Sequence, residues 1–377
     1  MSNAKCELLS PAGDFEKLKA AVRYGADAVY LAGHAFGMRQ ASGNFSNDEI
    51  TEAVKYCHER GVKVYVTVNI MPRDSEYPAL AGFIEFLGAS GADAVIVADL
   101  GVLSLVKRLA PSLEIHISTQ ASAVSSADCL MWHSLGAKRV VLARELSLDE
   151  IREIRRNIPK EIELETFIHG AMCIAYSGRC LMSNYFVGRD ANHGACAQPC
   201  RWIYNANSVN ITEEKRPDDV ISVEEAGGDS FVMSSRDMCM IEHVPELIDA
   251  GITSFKIEGR VKSAYYTAVV TNTYRMAIDR YLAAPDAFTY DPAWLNELES
   301  VSHREYATGF FFNSPHENAN TVTAPGYIRE KAYLATAVTD SDENGRVSFI
   351  QRNKVVSGTA IELLTPGLPG IPDTAPD

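Results

Sequence analysis

The sequence predicts an α/β protein: a closed parallel (β/α) barrel of the TIM type, followed by a small β domain. Three observations carry this reading. First, a phrase recurs. Gly25-Ala-Asp-Ala-Val-Tyr-Leu-Ala-Gly33 returns as Gly91-Ala-Asp-Ala-Val-Ile-Val-Ala-Asp99, as Gly136-Ala-Lys-Arg-Val-Val-Leu-Ala-Arg144 and as Gly251-Ile-Thr-Ser-Phe-Lys-Ile-Glu-Gly259. Second, short apolar runs alternate with helical patterns over roughly the first 260 residues, which is the arithmetic of eight strands and their crossovers. Third, residues 328–365 switch to period-two alternation, the mark of strands with one covered face.

The elements follow in order. Each repeat begins after a helical pattern such as Phe15–Tyr24, whose apolar residues fall at helical spacing. Glycine ends the helix, where a left-handed cap is needed, and the run after it is apolar enough for a parallel strand buried on both faces. Further strands are expected at Glu7–Ser10, Val62–Asn69, Glu114–Thr119, Ile162–His169 and Phe231–Ser234. Helices are expected at Asn47–Arg60, Glu76–Ser90, Gly101–Leu109, Ser125–Leu135, Ser147–Asn157 and Ser263–Tyr281. Ser46 and Ser147, each followed by acids, read as N-caps. A doubly wound open sheet is the rival, because alternation alone does not prove closure; the phased repeats favour the barrel. Residues 1–325 are read as the barrel domain, interrupted by a cysteine-rich insertion at 170–230, since loops of that length inside compact domains are usually functional. Residues 326–377 are read as a small β-barrel-like domain, with strands near Tyr333–Val338, Arg346–Ile350 and Thr359–Leu364. The Pro- and Gly-rich end, 366–377, reads as a fraying tail or a domain cut short.

Composition narrows the class. Hydrophobic residues make up 46% of the 377, enough for a core, and the net charge is −14. That sign discourages indiscriminate nucleic-acid binding without excluding a local basic pocket. No apolar run is long enough to span a bilayer, and the first residues lack the signature of a secretory signal, so a cytoplasmic location is expected. Eight cysteines in a reducing compartment point to metal binding or catalysis when they cluster. Four of them do: Cys173, Cys180, Cys196 and Cys200. Only the last pair has the tight spacing preferred by structural zinc, whereas an iron–sulfur cluster tolerates irregular spacing. Unligated thiols, zinc and an iron–sulfur cluster all remain open on spacing alone. Arg179, Arg189 and Arg201 interleave with the thiols, to offset their charge or to face an anion.

At these residues the chain resembles a known family. The string Glu165-x-Phe167-x-His169-Gly170-x-Met172-Cys173-x-x-Tyr176-Ser177-Gly178-x-Cys180 is similar to the signature of the collagenase-like peptidases. Glu7–Gly13, Arg39 with Asn44-Phe45, Ser118–Gln120 and Lys256–Arg260 match its other blocks, over about residues 6–325. The resemblance is strongest to the tRNA-hydroxylation branch. It implies oxygen-independent hydroxylation of an RNA base, most of all a tRNA wobble uridine taken to 5-hydroxyuridine. It also implies a 4Fe–4S cluster on Cys173, Cys180, Cys196 and Cys200, and a prephenate-like small acid as hydroxyl source. Zinc or an empty site is expected after handling in air. Related branches move one ligand, which makes Cys239 the reserve.

His169, Tyr176 and Arg179 are the candidate catalytic residues: His169 ends a strand where barrel sites gather, and Tyr176 could stack on a base. Arg39, Asn69, Gln120, Arg189, Arg201 and Arg260 are the candidate substrate-binding residues. Two other functions compete. Proteolysis is implied by the family's name, and Cys173 near His169 could be read as a Cys–His pair; G-x-S-x-G and H-E-x-x-H are absent. A non-enzymatic RNA-binding scaffold with a structural metal is the other.

Overall fold

A computed structural model describes residues 6–39, 42–202, 234–314, 320–322 and 326–375, with the backbone alone of short strands between 210 and 230. Eight parallel strands close into a barrel. They are β1 (Glu7–Pro11), β2 (Ala28–Ala32), β3 (Lys63–Val68), β4 (Ala94–Val97), β5 (Glu114–Ile117), β6 (Arg139–Val141), β7 (Glu163–Ala171) and, after the insertion, β13 (Ser254–Ile257). Each pairs with its neighbour in that order, and β13 pairs with both β1 and β7, so no edge is left. Helices α1 (Phe15–Arg23), α2 (Asn47–His58), α3 (Tyr77–Ser90), α4 (Leu100–Leu109), α5 (Ser126–Ser134) and α6 (Leu148–Asn157) form the outer layer with the long α9 (Ala264–Ala283).

Local chemistry sets these elements as expected. Ser46 and Ser147 each close a capping box, with Glu49 and Glu150, and the repeat glycines Gly25, Gly91, Gly136 and Gly251 all sit at φ between 80° and 103°. Among the described residues no helix is long and apolar enough to cross a membrane.

The core has two parts. Outward-facing strand residues such as Leu8, Val29, Val64, Val95, Ile117 and Phe255 pack on the helices. The barrel lumen holds a small apolar set, Leu9, Ala28, Tyr30, Tyr65, Ala94 and Ile96. Beside it lies an ionic network. Arg139 binds Glu7, Glu163 and Glu165 at 2.6, 2.7 and 3.1 Å, and Lys256 binds the other oxygen of Glu165 at 2.7 Å. Strands expected to be apolar on both faces therefore carry charge on the inner face of β6, β7 and β13. A lumen of that size is filled by side chains, and paired charges satisfy one another there.

Beyond β7 the expectations need correction. The strand predicted at 231–234 falls largely on residues outside those described. The described strand that follows the insertion is β12 (Asp237–Cys239), which runs antiparallel along the extended end of β7, with Cys239 opposite His169. Between β7 and β12 come a short helix, α7 (Met182–Val187), and four strand fragments, β8 (Asn210–Glu213), β9 (Arg216–Ser222), β10 (Glu225–Ala226) and β11 (Asp229–Ser230). The short α8 (Val244–Asp249) and α10 (Ala293–Glu299), and β14 (Tyr306–Ala307) beside β12, had no strong sequence signal.

After residue 326 the chain forms two separate antiparallel ladders rather than a barrel. In these, β15 (Ala335–Ala337) pairs with β16 (Phe349–Gln351), and β17 (Ala360–Leu363) pairs with β18 (Ile371–Thr374). The Pro-rich end is thus ordered by pairing as far as Thr374, with Pro372 on a two-stranded ladder where few donors are needed.

Candidate active site

The C-terminal ends of the barrel strands carry most of the polar residues singled out from the sequence. Arg39 comes from the β2–α2 loop, Asn69 from the end of β3, Ser118 and Gln120 from the turn after β5, and Arg144 from the loop after β6. Glu258, Arg260 and Lys262 lie on the loop from β13 to α9. The cysteine segment leaves β7 at the same end, because β7 runs two residues past its bulged pairing with β13 at His169.

Specific contacts hold this segment down. Arg144, 7% exposed, donates to the Ala171 carbonyl at 3.0 Å and to Ser177 Oγ at 2.7 Å. Ser122 Oγ donates to the Ser177 carbonyl at 2.9 Å. Gly178, at φ +77°, packs so closely that a Cβ there would lie 2.4 Å from the Gln120 carbonyl oxygen. Further out, Asn192 donates to the Cys180 carbonyl, and His193 bridges to Glu76 and the Met71 carbonyl.

The eight cysteines divide into two groups. Cys6, Cys57, Cys129 and Cys239 are buried, and burial pushes each thiol up, Cys57, Cys129 and Cys239 to about 12. Cys173, Cys180, Cys196 and Cys200 are all half-buried. Burial opposes a thiolate at Cys173, but Arg144, Arg39 and Arg201 overcome it and hold the thiol below its ordinary value. Cys200 is raised, by burial first, and then by the negative charge of Cys173, Cys196 and Cys180. The four thiols therefore act on one another in one neighbourhood. Among the described residues no three His, Cys, Asp or Glu side chains close on a shell tight enough for a single ion.

Next to the thiols is a cavity of about 230 Å³ lined by four cations, Arg39, Arg201, Lys262 and Arg329, with Glu258, Gln198 and Tyr327. Glu258 lies 3.6 Å from Arg39. Burial disfavours its charge, yet Arg39, Arg144, Arg260 and Lys256 keep it ionised below the usual carboxylate range. Burial lowers Lys262 to about 8, though its ammonium donates to the Ser302 carbonyl at 2.8 Å. Just behind, Arg260 is 3% exposed and its Nη1 has no partner. A buried guanidinium with a free donor is costly unless a ligand completes it. Glu258 could have been found from the sequence, since it alternates with Arg260 and Lys262 at a strand's end. Arg329 and Tyr327 could not, because only the path of the chain returns them to this mouth.

The remaining sequence candidates are scattered. Asn69 serves as a tie, accepting from the Met38 amide at 3.1 Å and donating to Ser118 Oγ at 3.1 Å. Gln120 keeps a buried oxygen without a partner. Tyr176 and Arg179 are exposed on the insertion, as is Arg189, whose Nε donates to the Ala195 carbonyl. His169 faces away from the lumen. Its ring lies between Tyr266, Tyr274 and Tyr306, with a tyrosine hydroxyl 3.4 Å from each nitrogen. Burial lowers it to about 3, so it is neutral there. Cys239 shares this cage, 4.0 Å from the Tyr274 hydroxyl. The nearest cationic neighbour of Cys173 is an arginine, and the imidazole expected beside it belongs to the tyrosine cage.

The chain is 40% identical over 369 residues to tRNA hydroxylation protein P1 of Bacillus subtilis, covering 96% of this chain and 84% of that one. It is 35% identical over 360 residues to the 23S rRNA 5-hydroxycytidine synthase of Escherichia coli, covering 92% of this chain and 52% of the other. A protein of Porphyromonas gingivalis named collagenase is 29% identical over 375 residues, covering 96% and 86%. The sequence profile of Peptidase family U32 matches residues 13–321, and this chain belongs to that family.

Proposed function

We propose that this chain is an RNA hydroxylase that forms 5-hydroxyuridine at a tRNA wobble position without dioxygen. The reading takes a 4Fe–4S cluster on Cys173, Cys180, Cys196 and Cys200, and a prephenate-like small acid as hydroxyl donor. The observation that carries it is a cavity at the barrel mouth lined by four cations, two of which, Arg39 and Arg201, also act on Cys173 among the four half-buried thiols. Two relatives, one named for tRNA hydroxylation and one for 5-hydroxycytidine synthesis in 23S rRNA, support it.

The donor set fits a cluster better than a single ion. It is all thiol, three arginines offset the charge of Cys173, and Cys200 feels the charge of the other three. When bound, a cluster supplies one-electron redox chemistry, which hydrolysis does not need.

Replacing a base C–H by C–OH removes two electrons from the base. Without dioxygen, hydroxyl and oxidising equivalents both come from the donor: its C–O bond breaks, the base keeps the hydroxyl, and the donor keeps the hydrogen. The work of this chain is to hold the two partners. Arg39, Arg201, Lys262 and Arg329 supply paired donors for the carboxylates of a small acid. Glu258 orients Arg39, and the half-buried mouth limits water. Proteolysis is less well supported, because a Cys–His protease needs an imidazole beside its thiol and His169 is held elsewhere.

The test is deletion of the gene in its host, with mass spectrometry of digested tRNA. Loss of hydroxyuridine, restored by the wild-type gene and not by Cys180→Ser, is expected. Unchanged tRNA together with gelatin cleavage abolished by Cys173→Ser would establish the peptidase instead.

A further inference from the structure

The segment that covers the barrel mouth exposes large apolar rings to solvent. On α7, Tyr185 is 84% and Phe186 47% exposed, and Trp202, directly after the turn Pro199–Arg201, is 38% exposed. The three rings are contiguous: Tyr185 and Phe186 meet edge-on at 5.4 Å, and Phe186 lies 6.5 Å from Trp202. Helix α7 has six residues, too short to be stable on its own propensity. It turns these rings outward although burying them would stabilise it.

Charge and position identify the partner. Residues 176–202 carry three arginines and one aspartate, 3 − 1 = +2, in a chain whose total is −14. Arg179 and Arg189, just before and just after α7, are exposed. Trp202 follows Arg201, which lines the cation-rich cavity. Rings bordered by arginines suit unpaired bases, which offer flat faces and a phosphate at each step. A purely apolar protein partner would leave the arginines without a role.

We propose that Tyr185, Phe186 and Trp202 form a stacking ledge for the unpaired nucleotides flanking the modified base, with Arg179 and Arg189 on their phosphates. This rests on the RNA-hydroxylase reading and deepens it: the substrate is recognised as single-stranded loop RNA, and the ledge leads the next nucleotide towards the cavity beside Arg201.

The experiment is fluorescence anisotropy of the anaerobically purified full chain, with a labelled short oligouridylate, the same length as duplex RNA, and a tRNA transcript. Tyr185 is almost fully exposed, so Tyr185→Ala leaves the fold intact. It is expected to weaken oligouridylate and tRNA binding about tenfold, the loss of one stacked base, while Tyr185→Phe retains affinity. Arg189→Gln is expected to weaken binding and flatten its salt dependence, and the duplex to bind more weakly than the single strand. Wild-type binding of tRNA that Tyr185→Ala and Phe186→Ala leave unchanged would overturn the ledge and leave the hydroxylase reading standing. A wild-type dimer in sedimentation that Tyr185→Ala dissociates, with RNA affinity unchanged, would also overturn it, by assigning the rings to a second copy. Absence of wild-type binding to any of the three RNAs would overturn the RNA reading itself.

Discussion

Glu165 shows what a charge inside the barrel requires. Its carboxylate is fully buried, which by itself would favour the neutral acid, yet Lys256 and Arg139 hold it ionised at about 2. Glu165→Gln leaves two buried cations short of a partner and is expected to cost about 3 kcal/mol in urea unfolding. Adding Lys256→Met should recover part of that loss, because it removes one of the stranded charges. Lys262 behaves oppositely. Burial lowers it to about 8 from 10.5, so the cavity loses a positive charge above that pH. Calorimetric affinity for a small dicarboxylate should therefore fall as pH rises through about 8, and Lys262→Met should abolish that step. The stability effect has the other sign. Between about 8 and 10.5 the unfolded chain still holds the proton that the folded chain has lost, so stability rises with pH in that window.

At the scale of elements, the insertion works because a few tight contacts seat it on the barrel. Gly178 allows its backbone against the turn at Thr119–Ala121, and Arg144 and Ser122 grip Ser177 from the β6 and β5 loops. Gly178→Ala would force a left-handed residue and a backbone clash together. The segment should lift, so iron and sulfide content after anaerobic reconstitution should drop severalfold. Far-UV circular dichroism should stay unchanged, because the barrel strands do not depend on this contact. A variant that reconstitutes normally would show that Gly178 does not set the position of Cys180.

For the whole molecule, the chain after residue 326 packs back on the barrel's outer helices rather than extending from it. Asn272, buried on α9, donates to the Leu368 carbonyl at 2.8 Å and accepts from the Gly367 amide at 2.7 Å. Tyr24 donates to the Leu364 carbonyl, Glu297 accepts from Gly370, and Tyr333 stacks on Tyr265. The ladders themselves expose Phe349, Ile350, Leu363 and Ile371, so the clamp on α9 has to supply much of their order. Asn272→Leu should speed amide hydrogen exchange in β17 and β18 while leaving β1 to β6 protected. Equal acceleration in both regions would mean that Asn272 supports the barrel instead.

The sequence by itself determined the barrel's repeats, because glycine caps, serine N-caps and short β-branched runs act over a few residues and leave a periodic trace. It also marked the cysteine cluster, Arg39, Arg201 and Arg260, since those residue types are rare in such company. Whether the sheet closes was decided by the pairing of β13 with both β1 and β7, a contact between residues far apart in the chain. The inward charges of Arg139 and Lys256 lie in repeats read as apolar on both faces, because one sequence cannot say which face of a buried strand meets its partner ion. His169 read as a site residue from its place at a strand end. Its direction was settled by β12, α9 and β14, which bring Cys239 and three tyrosines around it from distant sequence. The cation-lined cavity is tertiary for the same reason: Arg39, Arg201, Lys262 and Arg329 come from four separate stretches of chain, and only the closed barrel brings them to one mouth.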